Sequence, residues 1–177
     1  LVEWREDVEK NGFNHLKYFK AGSHTPFPYQ VVGAKFIQYN KNILLGMEAG
    51  VGKTLVAILG CLMKKELNKI LCIVPNSLKL NWKNEISNLT DEKWHVIGYK
   101  ENQYSINESK FVIVNYDYFR SSGFNIKSKV NDIGLKNIDC IIFDESHKNK
   151  NTKTNTYKNL TKSFKKVVKT YILLSGT

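Results

Sequence analysis

Short, continuously apolar runs separated by segments of helical period constrain the fold of this chain more than any other feature. Runs that are apolar at every position, rather than at alternate positions, are typical of strands buried on both faces of a parallel sheet. Their alternation with helices predicts an α/β fold with a doubly wound parallel sheet, in which ligands bind at the carboxyl ends of the strands. The predicted strands are residues 43–45, 70–74, 111–114, 138–143 and 171–174, with 94–99 as a further candidate.

Apolar residues recur at helical spacing between these runs. They predict helices near residues 55–63 and 78–89, and an earlier helix at 29–40 follows two prolines, which suit a helix start. A chain of 177 residues has room for one domain. We interpret residues 1–27 as an irregular or partly helical N-terminal extension and residues 28–177 as a single lobe.

The first strand runs into a glycine-rich segment, GMEAGVGKT, at residues 46–54, and an apolar helix follows. Strand, loop and helix in this order are the context that a P-loop requires. Its backbone N–H groups would surround an anion, Lys53 would reach the β- and γ-phosphates, and the Thr54 hydroxyl would hold Mg²⁺. Met47 stands where the general pattern has its first glycine. The alternative interpretation is an ordinary glycine turn.

Two adjacent carboxylates, Asp144 and Glu145, follow the strand at 138–143. A strand end at this place faces the P-loop in a doubly wound sheet. One carboxylate is needed to hold the Mg²⁺ that bridges the phosphates, and a second to orient the attacking water. Asp144 suits the first role and Glu145 the second. The sequence DESH alone is often a solvated turn, and only its place after a buried strand favours a site.

The charge of the chain favours a polyanionic partner. A total of 27 Lys and Arg against 16 Asp and Glu gives a formal charge of +11, and basic side chains displace counterions from phosphates. The alternative is a codon bias toward lysine and asparagine. Residues 148–169 contain eight lysines and no acid, but an apolar stripe on the same segment favours a packed helix with a charged outer face, so no site is assigned there.

Three cysteines lie in apolar stretches without the spacing of a zinc site or the even number of a disulfide framework. No apolar run approaches the roughly 18 residues that suggest a membrane span, and the N-terminus does not resemble a secretory signal. We expect a cytoplasmic protein of prokaryotic or phage origin, or a nuclear one if the source is eukaryotic. The first residue is Leu1 and the last residues follow an apolar run directly, so we expect a fragment of a longer protein.

Several short motifs in a fixed order are more specific than any one of them. In that order, the chain resembles the first lobe of superfamily 2 helicases, and within them the Swi/Snf-type DNA translocases. Met47 and Ala49 depart from the residues often seen in that family, and Ser146 replaces its usual alanine. The matching segments are PYQ at 28–30, EAGVGKT at 48–54, VPNSL at 74–78 with NW at 81–82, VNY at 114–116, DESH at 144–147 with KN at 150–151, and SGT at 175–177.

The resemblance implies a RecA-like P-loop NTPase lobe that binds ATP and Mg²⁺. It implies that the Gln30 amide recognises the adenine edge, with Phe27 or Tyr29 stacking nearby, although a solvated helix residue is the alternative for Gln30. Catalytic roles fall to Lys53, Asp144 and Glu145, and the metal ligands are Thr54 and Asp144. The implied ATP-binding residues are Gln30, Glu48, Gly50, Val51, Gly52, Lys53 and Thr54.

Two further sets of residues follow from the same resemblance. His147 would link the acidic motif to Ser175 and Thr177 and so couple the phosphate state to motion, unless it is a plain structural histidine. Ser77 could cap the next helix and leave its N–H groups for a phosphate. The candidate nucleic-acid contacts are Asn76, Ser77, Lys79, Asn115 and Tyr116, which we call the rim because they follow strand ends at one edge of the predicted sheet. They could instead be mere caps and turns.

These observations predict the first lobe of an ATP-driven motor on double-stranded DNA. A second RecA-like lobe in cis would supply the arginine that completes the site, so the isolated lobe should hydrolyse ATP barely. One alternative is a strand-separating helicase, with single-stranded DNA or RNA as its track. Another is an inactive module that only binds nucleic acid, but intact Lys53, Thr54, Asp144 and Glu145 argue against it.

Overall fold

The computed structural model of the chain describes residues 2–120, 137–149 and 168–176. Six strands form one sheet in which every neighbouring pair is parallel, in the order β1–β6–β5–β2–β4–β3. The predicted doubly wound α/β fold is therefore confirmed. The strands are β1 (Asn42–Gly46), β2 (Ile70–Val74), β3 (Trp94–Val96), β4 (Phe111–Asn115), β5 (Cys140–Phe143) and β6 (Thr170–Ser175).

The α-helices of the described residues agree with the sequence pattern to within a few positions. Each of the three predicted helices is present, and a short helix lies in the N-terminal extension. The lysine-rich helix expected within 148–169 lies almost wholly outside the described residues, as does Thr177. The helices are α1 (Val2–Asn11), α2 (Pro28–Tyr39), α3 (Lys53–Met63) and α4 (Lys79–Leu89), with single 3₁₀ turns at His15–Lys17, Asn76–Leu78, Tyr116–Phe119 and Ser146–Asn149.

The burial of the strand side chains explains why the strand sequences are continuously apolar. All five residues of β2 are buried, because this strand lies inside the sheet and side chains cover both of its faces. The expectation of burial on both faces is wrong for β1, where the Leu44 side chain is 69% exposed and only Ile43 is buried. Leu173, the register partner of Leu44 on β6, is exposed as well, so the reason is that this face of the sheet is not fully covered at β1 and β6.

Helices α2 and α3 pack at a distance that excludes side chains at two positions. A Cβ atom added to Gly60 would lie 2.6 Å from the Ile37 Cβ, and one added to Gly33 would lie 2.9 Å from a methyl carbon of Val56. Each helix therefore supplies one glycine against a branched residue of the other. This close contact places the start of α2 beside the loop that precedes α3.

The N-terminal extension packs on the lobe. Val8 is buried, the Lys35 ammonium lies 3.1 Å from the Asp7 carboxylate, and Phe19 joins the core cluster. A domain boundary between residues 27 and 28 stays a prediction. The extension nonetheless contributes to the cavity described below.

Two other expectations concern the cysteines and the membrane. Cys61, Cys72 and Cys140 are buried, as expected of cysteines in apolar stretches, and they are free cysteines. Burial raises the pKa of the Cys72 thiol well above its ordinary value, so this thiol is held in its neutral form. Among the helices of the described ranges, none is both long enough and apolar enough to cross a membrane.

The close contact at Gly60 gives a stability prediction. Gly60→Ala should lower the free energy of unfolding by up to about 2 kcal/mol, because overpacking typically costs about 1–3 kcal/mol and is offset by a gain in helix propensity of only roughly 1 kcal/mol. Denaturant unfolding of the full chain measures the change. Gly46→Ala is the control, since no heavy atom lies within 4 Å of its added Cβ. An increase in stability for Gly60→Ala would contradict the packing described.

Candidate nucleotide site and nucleic-acid rim

The glycine-rich loop connects β1 to α3 at the carboxyl edge of the sheet. Its first residue continues the strand ladder, because the Met47 N–H donates to the Ser175 carbonyl at 3.1 Å. Gly50 and Gly52 then adopt positive φ angles of 82° and 83°. No side chain caps the start of α3. The positive end of this helix therefore remains available to an anion, as the P-loop interpretation requires.

Gly52 is required for a second reason, which lies in helix α2. A Cβ at Gly52 would lie 2.4 Å from the Gln30 Nε2. That nitrogen donates to the Val51 carbonyl at 3.0 Å, and the Gln30 Oε1 accepts from the Phe27 N–H at 2.9 Å. Gln30 is only 4% exposed, so the alternative of a solvated helix residue is wrong. Its amide joins the start of α2 to the loop, a role that the sequence did not indicate.

A cavity of about 660 Å³ opens beside this amide. Its wall includes Phe27 and Tyr29, whose rings stack with centroids 5.8 Å apart and planes 9° from parallel. The Tyr29 hydroxyl donates to the Val51 carbonyl at 3.1 Å. About half of each aromatic side chain is exposed. A planar base could stack on such a surface, which agrees with the stacking role predicted for these residues.

The Lys53 ammonium lies inside the loop that precedes it. Its Nζ donates to the carbonyls of Met47 and Glu48, each at 2.9 Å. A Cβ placed on Gly176 would lie 3.4 Å from that Nζ and 3.7 Å from the Glu145 Oε1. The Lys53 ammonium and the Glu145 carboxylate therefore approach the same point, beside Gly176, which directly follows β6. Glu48 contributes a backbone oxygen here, and its side chain is exposed.

Asp144 is the most tightly held residue of the acidic motif. It is 5% exposed, and its Oδ2 accepts from the Trp82 indole N–H at 2.9 Å. Its Oδ1 accepts from the Glu145 N–H at 2.9 Å, and its backbone carbonyl accepts from the Tyr116 hydroxyl at 2.7 Å. Glu145 itself has a positive φ of 51°, a strained conformation for a residue with a side chain, costing about 1–3 kcal/mol.

Burial raises the pKa of the Asp144 carboxyl above its ordinary value, and the hydrogen bonds from Trp82 and the Glu145 backbone lower it part of the way. Because the folded pKa is raised, the protonated form favours folding. This contribution is complete at low pH and is lost as the pH rises through the raised pKa. The ionised carboxylate at neutral pH therefore costs stability, which is typical of a group retained for its chemistry.

The chemistry of the donors fits Mg²⁺ held together with phosphates. The Thr54 hydroxyl and the Asp144 carboxylate are hard oxygen ligands, and protein Mg²⁺ sites commonly use one or two carboxylates with substrate phosphates and water. Within the described residues, no group of three or more His, Cys, Asp or Glu could hold a metal by itself. The site is thus suited to a metal that arrives with a nucleotide.

His147 connects the acidic motif to the end of β6. Its Nδ1 lies 3.2 Å from the Ser175 Oγ, and its Nε2 lies 3.3 Å from the Glu145 Oε2. The structure thus brings together three of the residues for which the sequence predicted a catalytic or coupling role. Thr177, the remaining residue with a predicted coupling role, lies outside the described residues.

The predicted nucleic-acid residues lie along the same edge, at the ends of β2 and β4. Asn76 and Ser77 are exposed, and the Asn115 amide donates to the Asn76 Oδ1 at 3.4 Å. The expectation that Ser77 caps the next helix is wrong, because Ser77 lies in the preceding 3₁₀ turn and α4 starts at Lys79 without a side-chain cap. The Lys79 ammonium is 3.5 Å from the Ile97 carbonyl.

Sequence reasoning missed two residues of this region. Trp82 was interpreted only as an apolar residue of a helix and as part of a family motif, although its indole N–H must find a partner when buried. Gly176 was recognised as a motif residue but not as the point that Lys53 and Glu145 share. Both contacts join segments far apart in sequence, so no local pattern could have indicated them.

Comparison with known proteins identifies the family of the chain. A family model described as "Type III restriction enzyme, res subunit" matches residues 8–177. A CHD3-type chromatin-remodeling factor of Arabidopsis thaliana is 28% identical over 98% of this chain and 15% of its own length. A DNA repair and recombination protein RAD54-like of Drosophila persimilis is 30% identical over 85% of this chain and 21% of its own length. The chain thus spans less than a quarter of either relative.

A solved structure gives the same fold. The SWI2/SNF2 ATPase core of Sulfolobus solfataricus, solved in complex with double-stranded DNA, superposes with a TM-score of 0.73. The superposition covers 93% of this chain and 34% of that protein, at 23% sequence identity. The chain therefore belongs to the family described as the type III restriction enzyme res subunit, and its fold is that of a lobe of the Swi2/Snf2 ATPase core.

Proposed function

We propose that this chain is the first lobe of a translocase that binds Mg-ATP and couples its hydrolysis to movement on double-stranded DNA. The observation that supports this most is the convergence of the Lys53 ammonium and the Glu145 carboxylate within 4 Å of the Cβ position of Gly176. A cation for the γ-phosphate and a carboxylate for the attacking water are the groups that ATP hydrolysis requires at one place. An inactive binding module has no chemical need for both.

Each residue of the site has a role in this proposal. Gln30, with the aromatic pair beside it, recognises and stacks on adenine. Lys53 exchanges its hydrogen bonds with the loop carbonyls for contacts with the phosphates. Thr54 and Asp144 hold the Mg²⁺, which when bound offsets the charge that develops on the phosphates. Glu145 orients the water for attack, and the loop residues 48–52 surround the phosphates.

The site needs groups from outside this lobe. We propose a second RecA-like lobe in cis, with an arginine that completes the transition-state charge, since such an arginine contributes roughly 10³ to 10⁵ in rate. The contacts from Glu145 to His147 and from His147 to Ser175 then couple the state of the bound phosphates to the position of the end of β6. Thr177 would extend that path, and relative movement of two lobes would follow.

Double-stranded DNA is the proposed track. The names of the relatives refer to DNA repair and chromatin, and the solved core was bound to duplex DNA. In this chain, the candidate contacts Asn76, Ser77, Lys79 and Asn115 lie at or just after the ends of strands β2 and β4, and β2 is the neighbour of β5. A formal charge of +11 favours such a partner. We place the protein in the cytoplasm of a prokaryotic cell, or in the nucleus if the source is eukaryotic.

The proposed roles of the two catalytic groups predict different defects in the full-length protein, which includes the proposed second lobe. Glu145→Gln should retain ATP binding and lose hydrolysis, because it changes only the group that orients water. Lys53→Ala should weaken both, because it removes a phosphate contact. Equilibrium titration with ATP and a turnover assay separate the two. Lys65→Ala and Glu66→Gln are charge-matched controls at exposed positions after α3. Equal losses of ATP binding in the two site variants would show that the roles are wrongly assigned.

Binding to duplex DNA should depend steeply on salt. Each phosphate contact contributes about 0.9 to the slope of log affinity against log salt concentration, so Lys79→Ala should lower the slope by about that amount without altering sequence preference. Lys65→Ala should leave the slope unchanged, because Lys65 follows α3 and lies at the opposite edge of the sheet. A slope that Lys79→Ala does not change would remove Lys79 from the contacts.

The proposed track predicts how the full-length protein, with its proposed second lobe, responds to different nucleic acids. Duplex DNA should stimulate ATP turnover more than single-stranded DNA or RNA does, and the protein should displace a triplex strand without unwinding a forked duplex. ATPase, triplex-displacement and unwinding assays on the same preparation make the comparison. Stimulation by RNA alone, or efficient unwinding, would assign the protein to the strand-separating helicases instead.

A further inference from the structure

Two side chains from the segments that carry the candidate nucleic-acid rim contact Asp144 directly. The Trp82 indole N–H donates to the Asp144 carboxylate at 2.9 Å, and both groups are buried. The Tyr116 hydroxyl donates to the Asp144 backbone carbonyl at 2.7 Å. These contacts join residues 62 and 28 positions apart. The proposed metal ligand is therefore held by two segments that do not belong to the nucleotide site.

Both segments also carry the exposed polar residues of the rim. Trp82 lies on α4, whose first residue is Lys79 and which follows the turn Asn76–Leu78 directly. Tyr116 follows Asn115, the last residue of β4. The side chains of Asn115 and Asn76 lie 3.4 Å apart, so the two segments also contact each other. Strand β2 lies between β4 and β5, which places the rim and the acidic motif on adjacent strand ends.

The Tyr116 hydrogen bond acts on the peptide between Asp144 and Glu145. That peptide accepts from the Tyr116 hydroxyl at its carbonyl and donates from its N–H to the Asp144 Oδ1. Both the carbonyl and the N–H of this peptide are thus hydrogen-bonded, and the next backbone angle is the positive φ of Glu145. A shift of the Tyr116 segment would rotate this peptide and change the direction of the Glu145 side chain.

Trp82 acts on the carboxylate itself. Its N–H fixes one Asp144 oxygen, while the Glu145 N–H fixes the other, so the plane of the carboxylate is set by one donor from α4 and one from its own turn. A buried hydrogen bond to a charged acceptor is strong and directional. A shift of α4 would therefore tilt the group that is proposed to hold Mg²⁺.

We propose that Trp82 and Tyr116 are positioning residues that couple a phosphate backbone bound at the rim to the geometry of Asp144 and Glu145. This inference rests on the proposed function, because it assumes that the rim takes nucleic acid and that Asp144 holds Mg²⁺. In this device, nucleic acid moves α4 and the turn after β4, and the two hydrogen bonds reorient the acidic motif. Coupling of this kind is reciprocal, so bound Mg-nucleotide changes the affinity for nucleic acid by the same factor.

The test measures that factor by binding alone. The affinity of the full chain for a non-hydrolysable ATP analogue is titrated with Mg²⁺ or with EDTA, each with and without saturating duplex DNA. We expect duplex DNA to change the Mg-dependent affinity of the wild type by about 5-fold or more. Trp82→Phe and Tyr116→Phe each delete one donor and keep the ring, and each should bring the factor close to 1, because the bond to the carboxylate and the bond to the backbone carbonyl are the two proposed links.

Two control variants remove equivalent groups elsewhere. Trp94→Phe replaces a buried indole that contacts the Lys83 ammonium, and Tyr99→Phe removes a hydroxyl that donates to Glu101. Both should keep the wild-type factor. A merely structural role for Trp82 would lower duplex binding and analogue binding in EDTA together. The coupling device predicts that Trp82→Phe leaves both of these affinities unchanged.

The outcomes separate this inference from the proposed function. If the wild type binds Mg-nucleotide and duplex DNA with a coupling factor that Trp82→Phe and Tyr116→Phe retain, the inference is wrong and the proposed function stands. A wild-type factor of 1 overturns the inference in the same way. If the wild type binds no Mg-nucleotide or no nucleic acid, both fail. If Trp82→Phe does not fold, Tyr116→Phe decides by the same measurement.

Discussion

The close contact of α2 with α3 determines where the nucleotide groups can lie. Gly33 faces Val56, Gly60 faces Ile37, and Gly52 leaves room for the Gln30 amide. Because a side chain at any of these glycines would force the helices or the loop apart, the start of α2 is held against the glycine-rich loop. The cavity and its stacked aromatic pair exist at this place as a result. The site is therefore a property of helix packing as much as of the loop sequence.

The order of the strands brings the remaining groups to this loop. Strand β6 lies between β1 and β5, so Gly176 at its end is adjacent to both the P-loop and the acidic motif. Strand β2 on the far side of β5 brings the rim next to Asp144. A doubly wound sheet places its ligands where the strand order reverses, and here one carboxyl edge holds the candidate nucleotide site and the proposed nucleic-acid rim, with Asp144 between them.

Asp144 shows how a costly group is kept in such a place. Burial raises its pKa, which means that the ionised form is disfavoured by the surroundings. Trp82 and the Glu145 backbone offset part of that cost by donating hydrogen bonds to both oxygens. The two donors also limit the orientations open to the carboxylate. The same contacts that stabilise the charge therefore determine its direction, and one of them comes from the helix that begins at the rim.

The sequence by itself determined the parallel α/β fold, the position of the loop at 46–54 and the pair Asp144 and Glu145, because each depends on local pattern or on strand ends. It also predicted that Gln30 acts at the nucleotide, although this role remains a proposal. Only the tertiary structure decided that Gln30 is buried against Val51, that Leu44 lies on an exposed edge strand, and that Trp82 holds Asp144. The physical reason is that these contacts join segments 21 or more residues apart or depend on strand order, and apolar periodicity carries no information on which segments meet.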